Sequence, residues 1–181
     1  NLVYDGAEFT SVAAFSEEHL AHTIIVHGLA KAYSMTGWRI GFLAAPKPIA
    51  QAINALQSHS TSNATSFAQK GAVAALTGPQ THLDHWLTEF NNRRKYAAER
   101  LNNMTGISCV NSQGAFYLFP NIEATGLKSA EFCDRLLEDS KVAAVPGIAF
   151  GADNNFRISY ATSMENIQNG MDRLDAFCKS F

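Results

Sequence analysis

The chain has 181 residues, 46% of them apolar, and a formal net charge of −2. It is therefore long enough to bury a sizeable core, and disorder is excluded as its main state. The near-neutral charge argues against a nucleic-acid or membrane-surface protein. Charged residues make up 17%, fewer than the average of about 25%, which suggests that a partner covers part of the surface.

The sequence carries no sign of export. Cys109, Cys133 and Cys178 form no CxxC pair, which predicts reduced thiols. No apolar run approaches the ~20 residues that span a bilayer, and no secretory signal opens the chain. We therefore expect a cytoplasmic protein. Because the chain begins at Asn1, inside a predicted strand, we also expect it to be a piece of a longer protein.

The first half of the chain alternates short strands with helices. The predicted elements are a buried strand at 22–26, a second strand at 39–45, a helix that begins at Pro46, a Ser/Thr-rich loop at 57–63 and an Ala-rich helix at 66–76.

Residues 81–104 carry the longest periodic pattern and predict a helix on the order of 35 Å long. Its buried stripe is predicted to consist of Leu83, Leu87, Phe90, Arg94, Ala97, Leu101 and Met104. The elements predicted after it are a hairpin of 108–110 and 115–119 around Gly114, a helix at 129–139, strands at 142–145 and 156–161, and a last helix whose capping box is Thr162 and Glu165.

Lys31 and Arg39 are the residues whose positions point to chemistry. Lys31 follows a predicted strand, and a partly desolvated amine at a strand end is nucleophilic toward carbonyls. Arg39 lies between Gly37 and Gly41, and its planar fork suits a phosphate. Such a pair fits a phosphorylated aldehyde cofactor. From spacing alone, a surface lysine and an arginine paired with a carboxylate remain the alternative.

The segment Lys31-Ala32-Tyr33-Ser34-Met35-Thr36-Gly37-Trp38-Arg39-Ile40-Gly41 resembles the pyridoxal-phosphate lysine segment of class I/II (fold type I) aminotransferases, and most closely their aspartate and aromatic branch. The resemblance extends over the whole chain. The other matching segments are Asn1 to Gly6, Ser60 to Asn63, Gly114 to Pro120, Val145 to Gly147 and Phe156 to Ala161.

This resemblance implies an α/β fold, the C-terminal part of a PLP-transferase (aspartate aminotransferase-like) fold. Residues 1–80 would be the remainder of the large cofactor-binding domain, 81–104 a connecting helix, and 105–181 the small α+β domain. The family's N-terminal half, with the aspartate that pairs with the pyridine nitrogen, would be missing, so this chain alone is not expected to be an efficient enzyme.

The resemblance also implies the roles of individual residues. Lys31 would carry pyridoxal 5'-phosphate and move a proton at the substrate α-carbon. Arg39 would hold the cofactor phosphate, and Arg157 the α-carboxylate of an acidic or aromatic amino acid. Thr61 would reach the cofactor of the partner subunit in a homodimer. The implied reaction is transfer of the amino group to a 2-oxo acid.

Three departures from the family pattern stand at Ala30, Ala64 and Ile148, and the last is expected to narrow the substrate mouth. Two other functions remain open: a pyridoxal-phosphate-dependent lyase or synthase on the same scaffold, and a non-catalytic domain of the same shape. No metal site is expected, because His82 and His85 have no further ligand at supporting spacing.

Overall fold

The computed structural model describes residues 2–180; Asn1, where the matching segment Asn1 to Gly6 begins, and Phe181 lie outside them. The described residues form two compact units. The first unit is Ala7–His85. The second combines residues 2–6 with residues 86–180. Within residues 2–180, no helix is long and apolar enough to cross a membrane.

The first unit contains a two-stranded antiparallel sheet and mostly short helices. Its elements are α1 (Glu17–Ala21), β1 (Ile25–Gly28), α2 (Leu29–Ala32), β2 (Gly41–Ala44), α3 (Lys47–Ser60) and α4 (Ser66–Thr77). A small core of Leu29, Met35 and Ala72 joins the segment after β1 to α4.

The second unit contains most of the buried core. Its elements are the larger part of α5 (Thr81–Asn102), β3 (Tyr117–Leu118), α6 (Ser129–Ser140), β4 (Val145–Pro146), β5 (Phe156–Ser159) and α7 (Met164–Cys178). The three strands pair antiparallel in the order β3-β5-β4. Phe132 and Phe156, both fully buried, pack with their ring centroids 5.0 Å apart between α6 and the sheet.

The predicted helices are confirmed, and the periodicity of the longest one is correct. On α5, Arg94 is 2% exposed and lies on the same face as Ala97 and Leu101, which are fully buried. Phe132 and Leu136 of α6 are also fully buried, as the sequence pattern predicts. The predicted loop at 57–63 is partly wrong, because α3 continues to Ser60 and Ser58 donates its hydroxyl to the carbonyl of Ala55.

The strand predictions are less accurate than the helix predictions. The first strand lies at Ile25–Gly28 and is not buried, since Val26 is 79% exposed. The second begins only at Gly41, because Arg39 has a left-handed backbone with φ +52° that no strand accommodates. Of 142–145, only Val145 is in a strand.

The predicted hairpin around Gly114 is wrong. β3 pairs with β5, and Gly114 forms a bridge with Val3 instead. The amide of Tyr4 donates to the carbonyl of Gln113, so the segment near the start of the chain occupies the edge that a second hairpin strand would need.

The capping box at Thr162 and Glu165 is also wrong. The N-cap of α7 is Ser163, whose hydroxyl accepts from the amide of Asn166 at 3.2 Å. Thr162 accepts from the Asn166 side chain instead, at 3.0 Å. The cap lies one residue later because Ser163 is the last residue with extended backbone.

Candidate active site

In the first unit, the candidate residues lie at one end of the β1–β2 ladder. Gly28 pairs with Gly41, and the amide of Leu29 donates to the carbonyl of Ile40 at 3.4 Å. Lys31 lies three residues beyond the end of β1, and Arg39 lies two residues before β2 begins. The ladder therefore brings these two residues to the same end of the sheet.

Gly41 permits this close pairing. A β-carbon at position 41 would lie 2.8 Å from the carbonyl oxygen of His27, so a larger residue would push the two strands apart. Its role is to let the backbones approach each other, since its φ is not in the left-handed region.

Lys31 lies on the one-turn helix α2, which its neighbours anchor. Leu29 is 1% exposed in the small core, and the hydroxyl of Tyr33 donates to Oε1 of Gln80 at 3.0 Å. Lys31 itself is exposed. The expectation that it is partly desolvated is therefore not met by the residues of this chain.

Arg39 has a left-handed backbone, and its side chain is hydrogen-bonded to the turn that precedes it. Its Nη1 donates to the carbonyl of Thr36 at 3.0 Å. Within residues 2–180, no carboxylate lies within ion-pair distance of this guanidinium, so the carboxylate-paired alternative is not observed there. A guanidinium has five N–H donors, so most of them remain available to a phosphate.

Thr61 lies at the C-terminal end of α3. It is exposed, and its hydroxyl accepts from the side-chain amide of Gln57. The next residue, Ser62, has a left-handed backbone with φ +64°, which turns the chain away from the helix axis. The loop that carries Thr61 is thus an exposed turn of the first unit.

In the second unit, Arg157 of β5 lies close to two aromatic rings. Its guanidinium carbon is 4.5 Å from the ring centroid of Tyr117 and 4.7 Å from that of Phe150. Two rings at this distance restrict the guanidinium through cation–π contact, and its N–H groups suit a planar, bidentate partner such as a carboxylate.

Arg157 opens onto a cavity of about 630 Å³. The residues that line it with Arg157 are Val110, Ser112, Tyr117, Leu118, Phe119, Phe150 and Asn155. Arg157 is the one charged side chain of this lining. A cavity with one cation and mostly apolar walls suits a carboxylate attached to a hydrocarbon body.

The turn after β4 supplies Phe150. Gly147 begins it and is buried against the carbonyl oxygens of Ala152 and Asn155, which leave no room for a side chain. Ile148, expected to narrow the substrate mouth, is 56% exposed and does not line the cavity. Phe150 lines it instead.

Sequence reasoning missed the two rings that hold Arg157. Tyr117 lies in the matching segment Gly114 to Pro120, for which no role was predicted. Phe150 follows the matching segment Val145 to Gly147. The signal available was the alternation of strand residues, which brings Tyr117 opposite Ser159 across β3 and β5, two residues from Arg157. Phe150 carried no signal, because its position depends on the turn at Gly147.

The candidate residues therefore divide between the units. Lys31, Arg39 and Thr61 lie in the first, and Arg157 in the second. Among residues 2–180, no group of three or more histidine, cysteine or acidic side chains could hold a metal ion.

Comparison with known proteins gives consistent matches. The family model "Aminotransferase class I and II" matches residues 1–174. An aspartate aminotransferase of Geobacillus stearothermophilus is 45% identical over 99% of this chain, and one of Bacillus subtilis is 43% identical over 97%. These alignments cover 47% and 46% of the two relatives, so the chain spans about half the length of the curated relatives it matches.

Solved structures agree. The aspartate aminotransferase of Rhizobium meliloti matches with a TM-score of 0.94 at 38% identity, over 98% of this chain and 47% of that one. The aromatic aminotransferase of Pyrococcus horikoshii matches with the same TM-score at 37% identity, over 99% of this chain and 48% of that one.

Proposed function

The chain belongs to the class I and II aminotransferases, with the α/β fold of their C-terminal part, and on this premise we propose that the intact protein is a transaminase. It would exchange an amino group between an amino acid and a 2-oxo acid, with pyridoxal 5'-phosphate bound at Lys31. The observation that carries the proposal is that Lys31 and Arg39 both lie at the end of the β1–β2 ladder where Gly28 pairs with Gly41.

The chemistry of these two side chains fits the cofactor. Lys31 would hold the aldehyde group of the cofactor through its amine, and Arg39 would hold the phosphate through several N–H groups. Both side chains are exposed and can be reached by a ligand. The bound cofactor would supply an electron sink that makes the substrate α-proton acidic.

Lys31 would also act as the acid and base of the reaction. Its amine, carried by the anchored turn α2, would take a proton from the substrate α-carbon and return one. Leu29 and Tyr33 fix that turn on either side, so the backbone from which the Lys31 side chain extends is held in place.

Arg157 would bind the α-carboxylate of the substrate. Support comes from its contacts with Tyr117 and Phe150, which restrict the side chain, and from the planar fork, which can form two parallel hydrogen bonds with a carboxylate. Lysine could supply the charge at this position but not the fork.

We propose an acidic or aromatic amino acid as substrate. The relatives support this range, since those named here are aspartate and aromatic aminotransferases and another is an aspartate/prephenate aminotransferase of Cereibacter sphaeroides. The apolar lining of the Arg157 cavity suits an aromatic side chain.

The assembly and location follow from the family resemblance and stay proposals. We propose a cytoplasmic homodimer in which the loop at Thr61 reaches the site of the partner subunit; the exposure of Thr61 supports it. The domain division at 1–80, 81–104 and 105–181 is proposed on the same basis.

The test is amino transfer by the intact protein and by two lysine variants. Lys31→Ala should lower kcat for transfer from aspartate or phenylalanine to 2-oxoglutarate by at least about 1000-fold, because it removes both the covalent link and the acid–base group. Lys47→Ala, a change to another exposed lysine of the first unit, should leave the rate unchanged.

Transamination that survives in Lys31→Ala would overturn the proposal. Release of pyruvate and ammonia by the intact protein without any 2-oxo acid would point to a lyase instead.

A further inference from the structure

We propose that Arg94 is a positioning residue for the carboxylate site at Arg157, acting through the loop 112–117. The inference rests on the proposed carboxylate role of Arg157 and extends it to a buried residue that touches neither substrate nor cofactor. All the residues involved belong to the second unit.

Arg94 is a buried cation with every part of its fork engaged. It is 2% exposed, and its Nη2 lies 2.5 Å from Oδ2 of Asp5. Its Nε and Nη2 both donate to Oδ1 of Asn91, and its Nη1 donates to the carbonyl of Ser112 at 2.8 Å. Its guanidinium carbon also lies 4.8 Å from the ring centroid of Tyr4.

A buried guanidinium is costly unless it is paired and fully hydrogen-bonded, and replacing it with well-packed apolar residues is often neutral or stabilising. The stability of the fold therefore does not by itself explain why a charged residue occupies position 94. Its contacts suggest an explanation, because they hold together the segment Leu2–Gly6, the helix α5 and the loop at Ser112.

The segment Leu2–Gly6 holds the same loop at a second point. The hydroxyl of Tyr4 donates to the carbonyl of Ala115 at 2.6 Å, and the hydroxyl of Tyr160 donates to the same oxygen at 2.9 Å. Ala115 has a left-handed backbone with φ +62°, which an alanine adopts only where its surroundings impose it. Arg94 in turn pairs with Asp5, the neighbour of Tyr4.

The loop leads directly to the ring beneath Arg157. The hydroxyl of Ser112 donates to the carbonyl of Tyr117 at 3.3 Å, and the Tyr117 ring centroid is 4.5 Å from the Arg157 guanidinium carbon. Ser112, Tyr117 and Arg157 line the same cavity. Arg94 thus fixes Ser112, Ser112 fixes Tyr117, and Tyr117 fixes the plane of the Arg157 fork.

The experiment measures carboxylate binding by the intact protein, using succinate and 3-phenylpropanoate as probes in isothermal titration calorimetry. These compounds carry the acidic and aromatic tails of the proposed substrates without an amino group, so binding can be read without transamination. Arg94→Lys keeps the charge and removes the fork. We expect it to raise the Kd of a probe by about 3- to 10-fold.

Two further variants separate positioning from general loss of structure. Tyr4→Phe leaves the buried charge in place and removes one hydrogen bond to Ala115, and it should raise Kd in the same direction. Arg100→Lys alters an arginine of the same helix that pairs with Asp172 at the surface, and it should leave Kd unchanged. Circular dichroism and thermal unfolding establish that each variant is folded.

The decisive comparison adds Arg94→Lys to Arg157→Lys. A positioning residue has no effect once the fork that it positions is gone, so the double variant should bind the probe as weakly as Arg157→Lys alone. In the active enzyme, Arg94→Lys should raise KM for the amino acid while kcat changes little.

Folded Arg94→Lys and Tyr4→Phe variants that bind the probe like the wild type would overturn the inference. The inference would also be overturned if the effects of Arg94→Lys and Arg157→Lys on the Kd multiplied fully in the double variant. The same holds if the wild type bound neither succinate nor 3-phenylpropanoate. If the wild type binds the probe but transfers no amino group, the proposed transaminase function fails, whereas the role of Arg94 is still decided by the Kd values.

Discussion

The ring of Trp38 lies over Gly71 of α4, where a β-carbon at position 71 would come within 2.5 Å of the ring atom Cζ3. The same ring packs edge-on against Phe67, with centroids 6.2 Å apart. Trp38 immediately precedes Arg39, so this contact helps to fix the turn that carries the candidate phosphate ligand. Glycine at position 71 leaves room for the Trp38 ring and so helps to position Arg39.

This contact predicts opposite effects for two glycine-to-alanine changes in helices. Gly170→Ala in α7 should stabilise the protein by about 0.5–1 kcal/mol, because alanine is the better helix former and nothing lies within 4 Å of the added carbon. Gly71→Ala should instead destabilise it by about 1 kcal/mol, since the Trp38 ring has to move. Urea unfolding of both variants measures the difference. Equal stabilisation by the two would mean that Trp38 moves aside at no cost.

Arg39 provides a test that separates the phosphate from the rest of the cofactor. Arg39→Gln should weaken binding of pyridoxal phosphate by about 10- to 100-fold, because charge-assisted hydrogen bonds are worth about 1.5–3 kcal/mol. Binding of pyridoxal, which lacks the phosphate, should not change. Arg135→Gln, which removes a surface arginine paired with Glu131, is the matched control. Equal weakening for both ligands would assign Arg39 a structural role.

The buried cysteines predict a loss of stability at alkaline pH. Burial, with a smaller effect from Asp134 or Asp175, raises the pKa of the Cys133 and Cys178 thiols from 9.0 to about 11. The folded state thus keeps these thiols neutral while the unfolded state ionises them. Their contribution to stability is complete below pH 9 and is lost as the pH rises to about 11.

Denaturant unfolding across that pH range measures this loss. Burial also raises the pKa of Tyr4 and Tyr160, so part of the decline belongs to these phenols. The variant Cys178→Ala should show a shallower decline than the wild type, whereas an unchanged slope would contradict the assignment to the thiol.

The partly exposed Cys109 should react with a thiol reagent before the other two do.

The sequence was sufficient for the longer helices α3 to α7, whereas the short helices α1 and α2 were not predicted. The period of α5 placed Arg94 on the buried face, and Lys31 and Arg39 stand in an almost continuous family motif. These features depend on local pattern. The short strands β3 and β4 have two residues each, so the sequence pattern located them only roughly, within 115–119 and at the end of 142–145.

Features that depend on distant residues could not be predicted. The hairpin around Gly114 failed because Val3, more than a hundred residues earlier, pairs with it. The rings near Arg157 come from β3 and from the turn after β4, and the pairing of β3 with β5 that brings Tyr117 close to Arg157 was not predicted. The partners of Arg94 are likewise separated from it by up to 89 residues.

The central claim is that Lys31 presents its amine to a phosphorylated aldehyde. The most direct measurement is to mix the intact protein with pyridoxal phosphate, reduce with borohydride and locate the modified lysine by peptide mass spectrometry. We expect one dominant adduct, on Lys31, which Arg39→Gln diminishes. An adduct spread over other lysines such as Lys47 and Lys70, with Lys31 unmodified, would contradict it.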